Sequence, residues 1–435
     1  MGWAFLTRAG SEPDLIDELG REGSPRRVAE GVVLALSRPR KSDGHHGELT
    51  FARQAMRVGG RAGIEAEPLA KLLADRLGER DDPEPFQLQI VVPDSKDPKD
   101  PRRKIHSRLG ELLPLALDAV LSPAQRALRQ SGTEAQRILQ VWILSEAEVL
   151  YGLTPTKAAL SPHPGGKLRL KRPDDALSRS GLKLDEAIAW IGLGPDRGDL
   201  VVDLGAAPGG WSQVALGRGA AVVAVDPAVV KLEGSKNRFT HIQESAFTFA
   251  PPEAMDWLLC DMAWRPLEVA QLLAKWARRG WARQLIANFK LPMKQKAKIL
   301  REILGILRDA GWEGLRSRQL YHDRDEITIF GWLNGGIVAR GWQPAFELRA
   351  HRNQTPEGEK PRRTARNARA QAGKQGRPPR SAEDRAEGRR GPRARTQGPR
   401  GRGGGRPGPR RPGGGRPGPR RPGGGRPGAR RGGPR

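Results

Sequence analysis

Four charged residues in this chain stand at the ends of apolar runs. Asp203 follows Leu200-Val201-Val202, Asp226 follows Ala221 to Val225, Asp261 follows Trp257-Leu258-Leu259-Cys260, and Lys290 follows Leu285-Ile286-Ala287-Asn288-Phe289. A charge in such a place is costly unless it faces a cleft. Runs of this kind read as buried strands, and ligands of open α/β sheets collect at the carboxyl ends of the strands. Acids on that edge can hold a ribose or a cation, and an amine there can move a proton.

Between the first two runs lies Gly205-Ala206-Ala207-Pro208-Gly209-Gly210-Trp211, a tight bend entering a helix-compatible segment. This is the strand, turn and helix of a nucleotide fold. Asp226 comes about 20 residues past the glycines, where such folds place an acid on a ribose hydroxyl. A dinucleotide site needs Gly-x-Gly-x-x-Gly, but here Pro208 sits inside the bend and the glycines fall at 205, 209 and 210. No pyrophosphate cradle is spelled out. Asp203 is better matched to a ligand with a positive charge, such as the ammonium of S-adenosylmethionine. The loop alone still admits another nucleotide, or a merely structural βαβ unit.

The elements that must position these residues follow from the surrounding pattern. Residues 1–60 mix strand-like runs (Gly31 to Leu36, Leu49 to Met56) and read as a small α+β unit. From 61 to 165 helical stretches (Leu69 to Leu77, Arg108 to Val120) alternate with strands (Phe86 to Val92, Arg137 to Leu144, Glu148 to Leu153). Pro93 to Pro101 suits an exposed loop, and the bend Arg102-Arg103-Lys104 with Arg108 offers charge either to RNA phosphates or merely to solvent. A turn-rich linker, Pro162 to Gly166, opens the part that carries the charged edge, 166–346. There Ser180 is placed to cap the helix carrying Lys183. Helices over Leu267 to Arg279 and Gln295 to Asp309, with Gly311 as a C-terminal stop, and a strand Asp325 to Trp332 complete a βαβα pattern. The sheet is expected to be mostly parallel, with helices on both faces.

The chain has 435 residues, one cysteine and a net charge of +27. Residues 351–435 hold 26 Lys/Arg against 5 Asp/Glu, and 1–350 the remaining 50 against 44. The charge is therefore a property of the end of the chain. From 347 the composition turns to Arg, Gly and Pro, and a ten-residue unit recurs from Gly403, Gly413 and Gly423. Such a segment cannot bury enough apolar surface to order itself and reads as a disordered tail. It suits sequence-independent contact with phosphate backbones, or serves only solubility. The lone Cys260 fits a reducing compartment; no run approaches the ~20 apolar residues of a membrane span, and no signal peptide is evident. A cytoplasmic, membrane-free location is expected. Seven histidines without ligand spacing and a single cysteine give no metal site.

Asp203 to Gln213 resembles the cofactor loop of the FtsJ (RrmJ) family of RNA 2′-O-methyltransferases. The family's Lys-Asp-Lys-Glu tetrad is matched in place by Lys183 in Ser-Arg-Ser-Gly-Leu-Lys-Leu-Asp-Glu, Asp261 in Cys-Asp-Met, Lys290 in Asn-Phe-Lys-Leu-Pro, and Glu326 in Arg-Asp-Glu-Ile-Thr. The contexts Asn288 to Lys294 and Arg318 to Glu326 are similar to the members that methylate a cytidine ribose of 23S rRNA. Leu49 to Met56 and Leu139 to Pro155 resemble their N-terminal half, which holds a THUMP RNA-binding domain. The resemblance implies a Rossmann-like S-adenosylmethionine-dependent methyltransferase domain behind an α+β THUMP-like region, acting on RNA as a monomer without metal. It implies catalytic roles for Lys290, Lys183, Asp261 and Glu326. The cofactor falls to Ser180, Asp203, Gly205, Ala207, Pro208, Gly209, Gly210, Trp211, Asp226 and Asp261. One departure stands out. The acid that meets adenine in the family is replaced by Ala246, before Phe247, leaving Glu244 or a backbone group to take its place.

A ribose hydroxyl needs its proton removed before it can attack, so a tetrad enzyme would need to deprotonate and position. Lys290 is the candidate base, its pKa lowered by desolvation and by Lys183, with Asp261 and Glu326 orienting the two ammonium groups. Base methylation is disfavoured, because Asp261-Met262-Ala263-Trp264 lacks the Asn/Asp-Pro-Pro-aromatic turn. Cys260, one residue out of phase with Asp261, is expected to pack away from the cleft. His322 is placed either to contact RNA or to pack its loop. Two other readings stay open: an RNA-binding assembly factor on a retired fold, and a methyltransferase of another RNA such as tRNA.

Overall fold

The computed structural model describes residues 2–38, 49–78, 84–232, 237–323 and 325–333. The Arg/Gly/Pro-rich tail lies outside them. The first elements are β1 (Trp3–Thr7), α1 (Glu12–Leu19), β2 (Arg26–Ala29), β3 (Val32–Ala35) and β4 (Ala52–Arg57). The strands form an antiparallel sheet of order β2-β3-β1-β4. Next come β5 (Gly60–Ala62), α2 (Ala66–Gly78), β6 (Phe86–Val91), α3 (Arg102–Val120), α4 (Pro123–Ala127), β7 (Arg137–Ile143) and β8 (Val149–Pro155). Their sheet runs β5-β8-β7-β6, with β6 and β7 parallel. Leu69 and Leu73 on α2 and Leu109, Leu113 and Leu117 on α3, spaced by four, cover it.

The third sheet carries the charged edge. It is built from α5 (Gly181–Ile191), β9 (Leu200–Leu204), α6 (Gly210–Gly217), β10 (Ala221–Val225), β11 (Phe239–Ile242), β12 (Met255–Cys260), α7 (Pro266–Arg278), β13 (Ala282–Lys290), α8 (Lys296–Asp309), β14 (Glu313–Arg318) and β15 (Glu326–Trp332). The strand order is β11-β10-β9-β12-β13-β15-β14, parallel except for β15, which runs antiparallel to both neighbours. Every residue of β9, β10 and β12 is buried, as a parallel sheet covered on both faces requires. The side-chain period of two sorts them. Val202, Leu204, Val223, Leu258 and Cys260 face α7 and α8, while Val201, Val222, Trp257 and Leu259 face α5 and α6. Cys260 is thus core, and burial pushes its thiol up to about 12. Val269, Leu272, Leu273 and Trp276 form the buried stripe of α7.

Three local expectations are corrected. Ser180 does not cap α5: its own backbone is helical, and its Oγ lies 2.6 Å from Ser178 Oγ. Arg102, Arg103 and Lys104 form the first turn of α3 rather than a bend. Arg102 is buried there and forked on Asp100, with Nη2 to Oδ2 at 2.7 Å. Arg108 pairs with Glu65 at 3.2 Å, so only Arg103 and Lys104 of that group are exposed without an ion pair among the described residues. Finally, the Pro93 to Pro101 loop is not simply solvated, because Asp94 and Asp100 are drawn into buried ion pairs.

Candidate active site

The carboxyl ends of β9, β10, β12 and β13 bring Asp203, Asp226, Asp261 and Lys290 to one edge. Antiparallel β15 adds its first residue, Glu326, to the same edge, since Glu326 is the register partner of Lys290. Helix α5 supplies Lys183 from above. Its Nζ lies 3.1 and 3.3 Å from the two oxygens of Asp261 and 2.5 Å from Glu326 Oε2. All three side chains are mostly buried, at 16 to 18% exposure.

The electrostatics follow from that burial. Desolvation lifts the Asp261 carboxyl to about 6; Lys183 opposes the shift and Glu326 adds to it. Lys183 loses hydration, which favours the neutral amine, yet the two carboxylates outweigh this and raise it above the usual lysine range. The expectation that the carboxylates hold both ammonium groups is therefore corrected. Both serve Lys183. Lys290 is exposed and makes no ion pair among the described residues.

The bend after β9 is a shaped cradle. Gly205 has φ +76, and a Cβ there would fall 2.6 Å from Met262 Cγ. A Cβ on Gly210 would fall 2.2 Å from Ser178 Oγ and 2.4 Å from Ser180 Oγ. The cradle thus closes on the segment that carries Ser180, whose carbonyl accepts the Trp211 indole N–H at 3.0 Å. Asp226 pins the bend: its Oδ2 accepts the Ala207 N–H at 3.0 Å and its Oδ1 the Ala228 N–H at 2.8 Å. The Pro208 carbonyl accepts the Lys231 N–H. Asp203 is 1% exposed, and its Oδ2 accepts the Ser212 hydroxyl at 2.7 Å. Its Oδ1 is buried without a hydrogen-bond partner. Burial first, with Asp261 and Asp226 adding, lifts this carboxyl to about 7. A buried acceptor left unmade costs about 1–3 kcal/mol, so Asp203 is suited to a cationic ligand group.

The sequence of FtsJ-like methyltransferases matches residues 176–276. Ribosomal RNA large subunit methyltransferase M of Alkalilimnicola ehrlichii is 33% identical over 361 residues, covering 76% of this chain and 94% of its own. That of Laribacter hongkongensis is 34% identical over 365 residues, covering 76% and 97%. The chain belongs to the ribosomal RNA large subunit methyltransferase M family. Membership makes it an FtsJ-like, S-adenosylmethionine-dependent methyltransferase. Another family member, from Haemophilus ducreyi, is 42% identical over 182 residues, 39% of this chain and 51% of its own. Lys290 and Glu326 lie beyond the FtsJ-like stretch, so their place in the site rests on β13 and β15.

Beside these family residues the structure assembles a support that sequence reading missed. Glu186, one turn after Lys183, is 4% exposed and accepts the N–H groups of Tyr321 and His322 at 2.8 and 2.7 Å. Asp323, fully buried, accepts from Leu320 N–H, Thr328 Oγ1 and Asn288 Nδ2. Burial raises both carboxyls, Asp323 to about 7. An acid three residues after Lys183, and so on the same helical face, was the available signal for Glu186. His322 packs its loop, with Nε2 on the Leu168 carbonyl at 3.2 Å and its ring against Tyr321. Ala246, where the resemblance would place the adenine contact, is buried, while Glu244 is exposed.

Proposed function

We propose that the protein methylates the 2′-hydroxyl of a cytidine ribose in 23S rRNA. The observation that carries this reading is Lys183 held between Asp261 and Glu326, with Lys290 in register beside Glu326 and the glycine cradle on the adjoining strand end. Asp203 with its unpartnered Oδ1 is assigned the ammonium of S-adenosylmethionine, and Asp226 its ribose. Gly205, Ala207, Pro208, Gly209, Gly210, Trp211 and the Ser180 segment wall the cradle. When bound, the cofactor supplies an electrophilic methyl on a cationic sulfonium and needs no metal.

The chain's own residues then do two things. Lys183, neutralised by two carboxylates, is a fixed donor that orients the ribose oxygen; its raised pKa keeps it protonated. Lys290 is exposed at the end of β13 and makes no ion pair among the described residues, so its amine stands open to the substrate. It is therefore the group that takes the hydroxyl proton. Residues 61–165 are assigned a THUMP-like RNA grip, with Arg103 and Lys104 towards phosphates, and the basic tail a sequence-independent hold.

The test is transfer of labelled methyl from S-adenosylmethionine to unmodified 23S rRNA, free and in subunits, by the parent protein and by Lys290→Ala. Label on one cytidine ribose, lost with Lys290→Ala, is the expected result. Binding of cofactor without transfer to rRNA would redirect the assignment to another RNA; absence of cofactor binding would leave an RNA-binding protein on a retired fold.

A further inference from the structure

All three folded parts of the chain meet at one ion network beside the active site. Arg53, on β4 of the first sheet, is 2% exposed. Its Nη1 lies 2.6 Å from Asp94 Oδ2, in the loop after β6, and Asp94 Oδ1 lies 2.6 Å from Lys167 Nζ in the linker. The other arm of the guanidinium, Nη2, donates to the Leu320 carbonyl at 3.2 Å. Leu320 opens the short segment that runs from β14 towards Glu326.

That segment is clamped from two sides. From the first sheet, Arg8 Nη1 donates to the Asp323 carbonyl at 2.7 Å, and the Thr50 carbonyl accepts the Gln319 N–H at 2.8 Å. From the catalytic side, Glu186 holds the Tyr321 and His322 amides on the same helix that presents Lys183. Lys183 and Glu326 touch each other at 2.5 Å. Their relative placement thus depends on α5 on one side and, on the other, on β15 in register with β13 and on the segment leading into β15 that Arg53 and Arg8 grip.

We infer that Arg53 is a positioning residue of the active centre, and that through it the N-terminal sheet helps to seat Glu326. A guanidinium is needed, because only a fork reaches a carboxylate and a carbonyl together in fixed geometry. The inference rests on the methyltransferase reading above.

The experiment compares the full-length parent with Arg53→Lys, which keeps a buried cation beside Asp94 but loses the fork, and with Arg8→Met. For each, kcat, the KM values for RNA and cofactor, the thermal midpoint, and amide exchange at Tyr321 and His322 are measured. A displacement of about 1 Å in a reacting group costs up to about 100-fold. Arg53→Lys is expected to lower kcat by about tenfold or more, with both KM values within about twofold and a near-parental midpoint. Exchange at the two amides is expected to quicken. Unchanged kcat in both variants, or an effect confined to the KM for RNA, overturns the inference. Amide exchange is read without turnover, so a parent that fails to methylate rRNA still reports on the clamp, and unchanged exchange overturns it alone.

Discussion

Replacing Asp203 by asparagine is expected to strengthen the free protein and weaken its grip on the cofactor. The carboxyl is buried, one oxygen has only the Ser212 hydroxyl and the other has no partner. Its folded pKa stands at about 7 against an ordinary 3.8. The fold therefore prefers the protonated acid: its contribution is complete below about pH 4, and it is lost as pH climbs through about 7. A rise of this size is worth on the order of 4 kcal/mol by about pH 8. Asparagine can still accept from Ser212 and carries no charge, but its amide hydrogens want a partner, which costs about 1–3 kcal/mol. The net gain at pH 8 should be about 1–3 kcal/mol, shrinking towards pH 5. Cofactor binding should move oppositely. An ionised Asp203 facing an ammonium makes parent affinity rise about tenfold per pH unit up to about 7. The variant should lack this slope and bind about 100-fold more weakly. Urea denaturation at pH 5 and 8 and calorimetric titration across pH 6–8 measure both. A variant no sturdier than the parent at pH 8, or parent affinity that ignores pH, would refute the argument.

Lys290→Ala should cut methyl transfer by about 100-fold or more while leaving cofactor affinity unchanged, as judged by kinetics beside calorimetry. Lys183→Met strands two mostly buried carboxylates; it should cost about 3–5 kcal/mol near pH 8 and less near pH 5, where Asp261 can take up a proton, and urea curves at the two pH values decide it. Gly210→Val pushes a side chain onto Ser178 and Ser180, so calorimetry should find cofactor binding lost while the circular dichroism spectrum is retained. Removing residues 347–435 should weaken RNA binding and flatten its salt dependence without abolishing transfer; an equal slope of affinity against salt would exclude the tail from the complex.

The legible parts of this molecule were those written as local pattern. Continuous apolar runs marked β9, β10 and β12, because strands buried on both faces have no polar phase to confuse the reading. The spacing of Val269, Leu272, Leu273 and Trp276 gave α7 with its inward stripe. β11 and β14 escaped notice for the opposite reason: Phe239-Thr240-His241-Ile242 is short and mixed, and Glu313 to Arg318 alternates around Gly314 with charges at a sheet edge. At the site, the placement of Asp261, Lys183 and Glu326 could be anticipated residue by residue, but which ammonium the carboxylates hold could not. That choice depends on the height of α5 above the sheet, which no spacing encodes. Arg53 and Asp323 were equally silent, since a lone arginine in a strand and an acid in a loop acquire meaning only from partners on other elements, such as Leu320 for Arg53 and Asn288 for Asp323.

The strand order carries a consequence for the newborn chain. β15 lies between β13 and β14, so the latter two are never neighbours and the sheet stays unfinished until residue 332 has been synthesised. Everything assigned to the cofactor, from Ser180 to Asp261, leaves the ribosome earlier. Glu326, at the start of the last strand, is the last piece of the site to be made. Glu326 closes the site only when β15 pairs with β13.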